Sequence, residues 1–267
     1  MIEVVEPGLL TTVQDLGRPG YAHLGVPPSG AADVPSLVRA NRLAGNEDGA
    51  AALEATLAGP TLRFLESAVV AVAGGIESEP LELAAGDTLE VGPILAGVRA
   101  YIAVRGGIAV EPVLGSRSYD QMTGFGPPPL VRGQQLAAGG AAPAHAAPEP
   151  STPPRSMLRV VPGPRDDWFT TEALEILLGR PFTVSSSSNR IGVRLEGPPL
   201  ERARHDELLS EGLVTGALQV PPSGRPILLL QDHPTTGGYP VIAVVATEDL
   251  PRAGQLRPGE TVRFTLL

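Results

Sequence analysis

Short apolar runs separated by glycine and proline dominate this sequence of 267 residues. The chain holds 32 glycines and 29 prolines, which favour turns and disfavour helix interiors. One run alternates Ile191, Val193 and Leu195 with Gly192 and Arg194, the period of a half-buried strand. Many short strands joined by tight turns predict a mainly β protein built from closed or nearly closed barrels. The candidate strands are residues 10–14, 61–65, 69–73, 88–91, 100–104, 158–161, 191–195, 214–220, 227–230, 241–246 and 261–266.

Two segments carry helix signals. Asp33 is a candidate N-cap for a helix that runs to Leu43, with a proline in its first turn and Gly45 just past its end. Asp166 is a candidate cap for a second helix, which Gly179 stops. The sequence therefore predicts a few short helices beside the strands.

An Ala/Pro-rich stretch divides the chain. Residues 138–156 cannot pack as a strand or a core helix, so we predict an N-terminal β subdomain over 1–137, a linker, and a C-terminal β subdomain over 157–267. The motif Val-Pro-Pro-Ser-Gly occurs at 26–30 and again at 220–224. This repeat favours two related subdomains, although turn motifs rich in glycine and proline also recur by chance.

Composition excludes several function classes. The net charge is −9, which argues against a nucleic-acid or anionic-membrane partner. The chain has no cysteine, so thiolate catalysis and cysteine-ligated metals are excluded. It also has no lysine, which rules out a Walker phosphate loop, a Schiff base, covalently attached biotin and a Lys-Ser-Ser amidase triad. The four histidines lack metal-binding spacing, so we expect no metal site.

Localisation is predicted from two further absences. No run of about 18 apolar residues is present, so no membrane span is expected. The N-terminus has neither the basic nor the apolar region of a signal peptide, so a cytoplasmic protein is expected.

The first polar block runs from residue 11 to 21 and holds Gln14, Asp15 and Arg18. An arginine fork at this turn can hold a carboxylate or a phosphate, or it can pair with Asp15 and fix the turn. Ser29 supplies a hydroxyl near the start of the first helix. A helix N-terminus attracts anions, but Asp33 would already cap this one.

Three further side chains are candidates. Asn41 falls on the buried stripe of its helix, where an amide binds substrate or, more often, ties down a neighbouring loop. Glu54 lies in an apolar segment, either as a base with a raised pKa or on the solvent face of a strand. Arg117, between two serines, is a candidate anion-binding residue.

The densest polar cluster follows the apolar run at 227–230. A carboxylate, an imidazole, hydroxyls and glycine amides could together accept a proton and bind an oxyanion or phosphate. The alternative is a tight turn between strands, with an Asx-turn and glycines at positive φ. The residues are Asp232, His233, Thr235, Thr236, Gly237, Gly238 and Tyr239.

Motifs along nearly the whole chain resemble those of one family, known as the C component of 5-oxoprolinase, the biotin-dependent carboxyltransferase subunit, allophanate hydrolase subunit 2, and an antagonist of a sporulation kinase inhibitor. The motifs are TTVQDLGRPGY (11–21), LGVPPSGAAD (24–33), ANRLAGN (40–46), LEATLAGPTLRF (53–64), LGSRS (114–118), SNRIGVRLEGP (188–198), QVPPSG (219–224), TTGGYP (235–240) and QLRPGETVRF (255–264). The chain departs from the family at His233 and Pro234, where many relatives have Arg-Gln, and after LGSRS.

The resemblance implies a cyclophilin-like β-barrel fold and an ATP-dependent 5-oxoprolinase complex that hydrolyses 5-oxo-L-proline to L-glutamate. It implies two partners, the B and A components of 5-oxoprolinase, with ATP bound at the level of the complex. On this interpretation the catalytic candidates are Asp232, Asp15 and Glu54, and the other polar residues named above bind substrate or phosphate. Two alternatives stand beside it: the carboxyltransferase component of a biotin-dependent enzyme similar to urea carboxylase, and a non-catalytic antagonist of a kinase inhibitor.

Overall fold

The computed structural model describes residues 1–140 and 156–267, and the chain divides into two compact units. The first unit comprises residues 1–18 and 29–140, and the second comprises 19–28 and 156–267. Most of the predicted linker, residues 141–155, lies outside the described residues. Among the described residues, every helix is too short or too polar to cross a membrane.

The first unit contains two five-stranded sheets and one helix. Its elements are β1 (Ile2–Glu6), β2 (Leu10–Gln14), α1 (Val34–Ala44), β3 (Ala52–Thr56), β4 (Thr61–Phe64), β5 (Ala68–Gly74), β6 (Leu81–Leu83), β7 (Thr88–Glu90), β8 (Arg99–Val104), β9 (Ile108–Ala109) and β10 (Gln135–Ala138). The strand orders are β7-β4-β1-β10-β9 and β2-β3-β8-β5-β6. Neighbouring strands run antiparallel in both sheets.

One apolar core holds the two sheets of the first unit together. Buried side chains such as Val4 and Leu62 from one sheet cluster with Val13 and Leu53 from the other. The opposite face of the second sheet is covered by α1, whose small buried residues pack against alanines of β5 and β8. Small side chains at this contact allow the helix to approach the sheet closely. The predicted cap is confirmed, because Asp33 Oδ1 accepts a hydrogen bond from the Ser36 amide at 3.2 Å.

The second unit is a closed barrel of seven strands. Its elements are β11 (Met157–Pro162), α2 (Thr171–Gly179), β12 (Phe182–Val184), β13 (Gly192–Glu196), β14 (Glu211–Gly212), β15 (Ala217–Gln219), β16 (Ile227–Leu229), β17 (Thr236–Gly237), β18 (Val241–Val245), α3 (Leu250–Ala253) and β19 (Thr261–Leu266). The barrel order is β11-β18-β15-β16-β13-β12-β19, and the parallel pairing of β11 with β19 closes it. The strands β14 and β17 form a separate two-stranded ribbon.

The predicted mainly β architecture with a barrel and short helices is confirmed. The strands predicted at 10–14 and 261–266 have the observed bounds, and the other nine overlap observed strands. The cap predicted for the second helix is wrong: α2 begins after Thr170, whose side chain accepts from the Ala173 amide, and Asp166 instead opens a short 3-10 helix. Thr170 is in the extended conformation that an N-cap requires, whereas Asp166 is already helical.

Candidate functional site

Asp15 is the centre of a buried hydrogen-bond network in the first unit. It directly follows β2, and its Oδ1 accepts from the hydroxyls of Ser116 and Ser118, both at 2.6 Å, and from the Gly17 amide at 2.8 Å. Its Oδ2 accepts from the Arg117 amide at 2.6 Å. Four donors therefore hold this carboxylate, and the loop at 115–118 is fastened to the end of β2 through it.

Arg18 is buried in the same loop region and bonds to backbone carbonyls. Its Nε donates to Val113 O at 3.2 Å, and its Nη2 makes a close contact with Ser118 O. Arg18 and Asp15 thus both bind the segment at 113–118. The two residues join this turn to a segment about a hundred positions away.

Gln14 and Ser29 meet at one carbonyl. The Nε2 of Gln14 and the hydroxyl of Ser29 both donate to Tyr119 O, each at 3.0 Å. Gln14 Nε2 also lies 3.0 Å from the Thr12 hydroxyl, which fixes the orientation of the amide. The buried Oε1 of Gln14 has no hydrogen-bond partner in the described part of the chain. Ser29 adopts φ of 52°, so the backbone here is in the left-handed region.

Glu54 lies on β3 and is held by three donors. Its Oε1 accepts from Arg99 Nε at 3.2 Å, and its Oε2 accepts from the Tyr101 hydroxyl at 2.7 Å and the Ala32 amide at 3.1 Å. Only 1% of Glu54 is exposed, so the solvent-face alternative is wrong. Burial, followed by the charge of Glu54, raises the pKa of Tyr101 well above its usual value, and Tyr101 is therefore a donor to Glu54 at neutral pH. These contacts position the loop that leads into α1.

Asn41 and Arg117 occupy different surroundings. The Asn41 amide is buried and donates to the carbonyls of Asp48 and Ala50, contacts that fit the loop-tying alternative. Arg117 is exposed, donates from Nε to Val110 O at 2.8 Å, and borders a cavity of about 440 Å³. Of these two side chains, only that of Arg117 reaches solvent.

In the second unit, Asp232 forms a buried ion pair with Arg190. Arg190 Nε lies 2.8 Å from Oδ2 and Nη2 lies 3.0 Å from Oδ1, the two-point geometry that a guanidinium and a carboxylate favour. The side chains of Arg190 and Asp232 are 2% and 0% exposed. The pair joins the segment before β13 to the segment after β16.

The glycine-rich segment after Asp232 is a β-ribbon with exposed groups. His233 is buried and its Nδ1 lies 2.7 Å from Pro234 O. Gly237 pairs with β14, and a Cβ there would stand 2.8 Å from the end of the Leu213 side chain, which would have to move to admit it. Along this ribbon Thr236, Gly238 and Tyr239 are exposed, while Thr235 and Gly237 are half-buried. The alternative of a tight turn with glycines at positive φ is wrong, because Gly237 lies in β17 and neither Gly237 nor Gly238 has a positive φ. The ribbon presents a hydroxyl and a phenol to solvent.

Several residues that take part in these networks or lie beside them were not singled out from the sequence, Arg99 and Tyr101 of the Glu54 network among them. Ser116, Ser118 and Arg190 stand inside motifs that carry the family resemblance, so those motifs were the available signal. Arg202 had no such signal; it extends beside the second Val-Pro-Pro-Ser-Gly copy, and its Nη2 contacts Val220 O.

The chemistry that these groups offer differs between buried and exposed positions. Arg18, Arg99 and Arg190 are bonded to protein carbonyls or carboxylates, and so they do not fit the phosphates of ATP. Among the described residues, no group of three or more acidic or histidine side chains is placed to hold a metal ion.

Comparison with known proteins gives consistent matches along the chain. The family model described as carboxyltransferase domain, subdomain A and B, matches residues 24–266. The C component of 5-oxoprolinase from Escherichia coli K12 is 36% identical over 99% of this chain and 90% of its own length. The crystal structure of Kluyveromyces lactis urea carboxylase is 36% identical over 100% of this chain, with a TM-score of 0.89.

The matched proteins differ greatly in length. This chain covers 27% of the K. lactis urea carboxylase chain and 17% of the urea amidolyase of Lachancea kluyveri, which is 35% identical to it. It covers 55% of a further solved chain that is 41% identical with a TM-score of 0.88. The matched region is thus one part of several larger proteins and nearly the whole of the bacterial 5-oxoprolinase component.

Proposed function

Because this chain belongs to the family of carboxyltransferase domains with subdomains A and B, we propose that it acts as the C component of an ATP-dependent 5-oxoprolinase complex. The complex would hydrolyse 5-oxo-L-proline to L-glutamate with ATP hydrolysis, together with the A and B components. The observation that carries this proposal is the match to the E. coli C component over 99% of this chain and 90% of that protein. An ATP-consuming reaction of this kind is expected in the cytoplasm.

The reaction adds water across the lactam amide: the C–N bond breaks, the carbonyl carbon becomes a carboxylate and the nitrogen becomes an amine. In the second unit, the exposed Thr236 and Tyr239 can donate hydrogen bonds to the lactam oxygen or to the substrate carboxylate. Asp15, Glu54 and Asp232 are held by several donors each, so in this proposal they position loops. Side-chain amine and thiol chemistry is excluded, since the chain has neither lysine nor cysteine.

The experiment is reconstitution of the purified chain with its A and B partner proteins. We expect ADP release that depends on 5-oxo-L-proline and on the presence of this chain, with one glutamate formed for each lactam consumed. Omission of this chain and heat-inactivated chain are the controls. Stable assembly of the complex without turnover of 5-oxo-L-proline would contradict the proposal and would favour a purely regulatory role.

A second candidate is carboxyl transfer in a biotin-dependent enzyme. The match to urea carboxylase over the whole of this chain, with a TM-score of 0.89, favours it. Because the chain has no lysine, carboxybiotin would have to arrive on another protein. Avidin added to the reconstituted complex separates the candidates: loss of activity supports carboxyl transfer, and full activity in biotin-free preparations contradicts it.

A further inference from the structure

Arg202 of the second unit is a part-buried cation that has no carboxylate partner among the described residues. Its Nη2 contacts Val220 O, while its buried Nε has no hydrogen-bond partner in the described part of the chain. No ion pair among the described residues includes it, whereas Arg99 and Arg190 each face a carboxylate. Burial of an unmatched charge is costly, so such a guanidinium is poised to gain from an added anion.

The backbone around Arg202 is held firmly. Ala203 N and Arg204 N donate to Trp168 O at 2.8 and 3.3 Å, and Thr170 N donates to Glu201 O at 3.1 Å. Arg202 itself forms an isolated bridge with the residue after Trp168. These contacts fix the position of the segment that carries the guanidinium, and so limit the entropy lost when a ligand binds.

Arg202 also lies beside two family motifs, QVPPSG (219–224) and TTGGYP (235–240), which contact each other. Val220, whose carbonyl faces the guanidinium, donates from its amide to Pro240 O at 3.0 Å. Gln219 Nε2 donates to Tyr239 O at 3.1 Å, which joins the same two segments. The Tyr239 side chain is 46% exposed, and these contacts place its segment beside the segment that Arg202 contacts. Burial lowers the pKa of Arg202, and the nearby Tyr239 partly offsets this effect.

We propose that Arg202 and Tyr239 form an oxyanion-binding site that takes the carboxylate of a small acid substrate. This inference rests on the proposed function insofar as that acid is 5-oxo-L-proline. The guanidinium supplies charge-assisted N–H donors and the phenol supplies an O–H donor, a pair suited to the two oxygens of one carboxylate. Inorganic phosphate offers the same oxygen chemistry, so the test includes it as a separate ligand.

The first test measures equilibrium binding to the full chain without any turnover. Trp168 is the only tryptophan and lies against the Arg202 segment, so its fluorescence reports ligand binding there. The ligands are 5-oxo-L-proline, inorganic phosphate, and pyrrolidinone, which keeps the lactam ring and lacks the carboxylate. We expect 5-oxo-L-proline to bind and pyrrolidinone to bind at least about tenfold more weakly, the loss expected for one charge-assisted hydrogen bond.

Matched variants assign the binding to Arg202. Arg202→Gln should weaken 5-oxo-L-proline binding about tenfold to a hundredfold. Arg204→Gln removes an exposed arginine two residues away that pairs with Asp167, and should leave binding unchanged. If Arg202→Gln does not fold, Tyr239→Phe is measured instead, because Tyr239 is exposed. Its affinity for 5-oxo-L-proline should be about threefold to tenfold lower than that of wild type. Wild-type binding by both Arg202→Gln and Tyr239→Phe, or no binding of any anion to wild type, would overturn the site.

A second test uses the reconstituted complex to separate the two sources of the oxyanion. The variant is Arg202→Lys. If it raises the KM for 5-oxo-L-proline and leaves the KM for ATP unchanged, the group bound by Arg202 is the substrate carboxylate. A raised KM for ATP alone overturns that assignment and indicates a phosphate. If the wild-type complex has no 5-oxoprolinase activity, the proposed function fails, and the binding titration still decides whether Arg202 holds a carboxylate.

Discussion

The ion pair between Arg190 and Asp232 is expected to stabilise the second unit strongly, and the substitution Asp232→Asn tests this. Asparagine keeps the size of the side chain and removes its charge. Arg190, 2% exposed, would then hold a buried positive charge without its two-point partner. Breaking a buried pair in this way costs about 3–5 kcal/mol, a large fraction of the roughly 5–15 kcal/mol that stabilises a typical domain.

A double-mutant cycle separates this cost from the other effects of each substitution. Arg190→Met should also destabilise, since it leaves the Asp232 carboxylate buried and without this arginine. The double variant Arg190→Met, Asp232→Asn has neither charge, so it should be about as stable as the better single variant. The two single costs should then exceed the double cost by about 3–5 kcal/mol, the cost of the less stable single variant.

Urea unfolding followed by Trp168 fluorescence is the assay, because this tryptophan lies in the core of the same unit. Circular dichroism in parallel checks that unfolding is a single transition, which a chain of two units need not show. The reasoning is refuted if Asp232→Asn loses less than about 1 kcal/mol, or if the two single costs simply add. Activity of the folded double variant in the reconstituted complex would show that Asp232 positions the barrel loops, whereas its complete loss would support proton transfer by Asp232.

Two other substitutions test the fold at named contacts. Gly30→Ala should lower the free energy of unfolding in urea by about 2–4 kcal/mol, because Gly30 has φ of 88° and an added Cβ would stand 2.7 Å from Gly17 N. The control is Gly115→Ala, which should cost clearly less, because Gly115 has φ of 80° but open space around it. Asp249→Asn should cost about 2–3 kcal/mol at neutral pH, since the buried carboxylate accepts from Arg159 N, Nε and Nη2. The hydrogen bond from Arg159 holds the pKa of Asp249 below its ordinary value of 3.8, so this stabilisation is present above that value and is lost as the pH falls through the lower folded pKa. Wild type and Asp249→Asn should therefore converge in stability in acid, and a constant difference down to acid denaturation would contradict the assignment.

Local patterns in the sequence were sufficient to predict the helix α1 and six of the seven strands that form the barrel, all except β12. Asp33, a proline in the first turn and Gly45 identify α1 because capping is decided by a few adjacent residues. The strand β1 was missed even though its alternate residues are buried, because Ile2–Glu6 holds two acidic residues at its less buried positions. The ribbon of β14 and β17 was also missed, since each of its strands has only two residues and its pairing is long-range.

Sequence patterns could not identify the hydrogen-bond and ion-pair partners of the polar residues. Asp15 lies about a hundred positions from the serines that bind it, and Asp232 lies 42 from Arg190. The sequence identified both carboxylates as catalytic candidates, with Asp232 as a proton acceptor and a pair with Arg18 as the alternative for Asp15. Only the three-dimensional contacts show that each carboxylate already accepts hydrogen bonds at both oxygens.

Because these carboxylates already accept hydrogen bonds at both oxygens, loss of activity in their variants must be interpreted with care for stability. A variant of Asp15 or Glu54 removes the acceptor of several buried donors, so it should unfold or shift a loop before any chemical role is tested. Loss of activity in such a variant therefore says little unless stability is measured beside it. Groups that reach solvent, such as Tyr239 and Arg117, can be changed with small effects on folding. Kinetic effects at these exposed positions are consequently the more direct evidence for contact with a substrate or a partner protein.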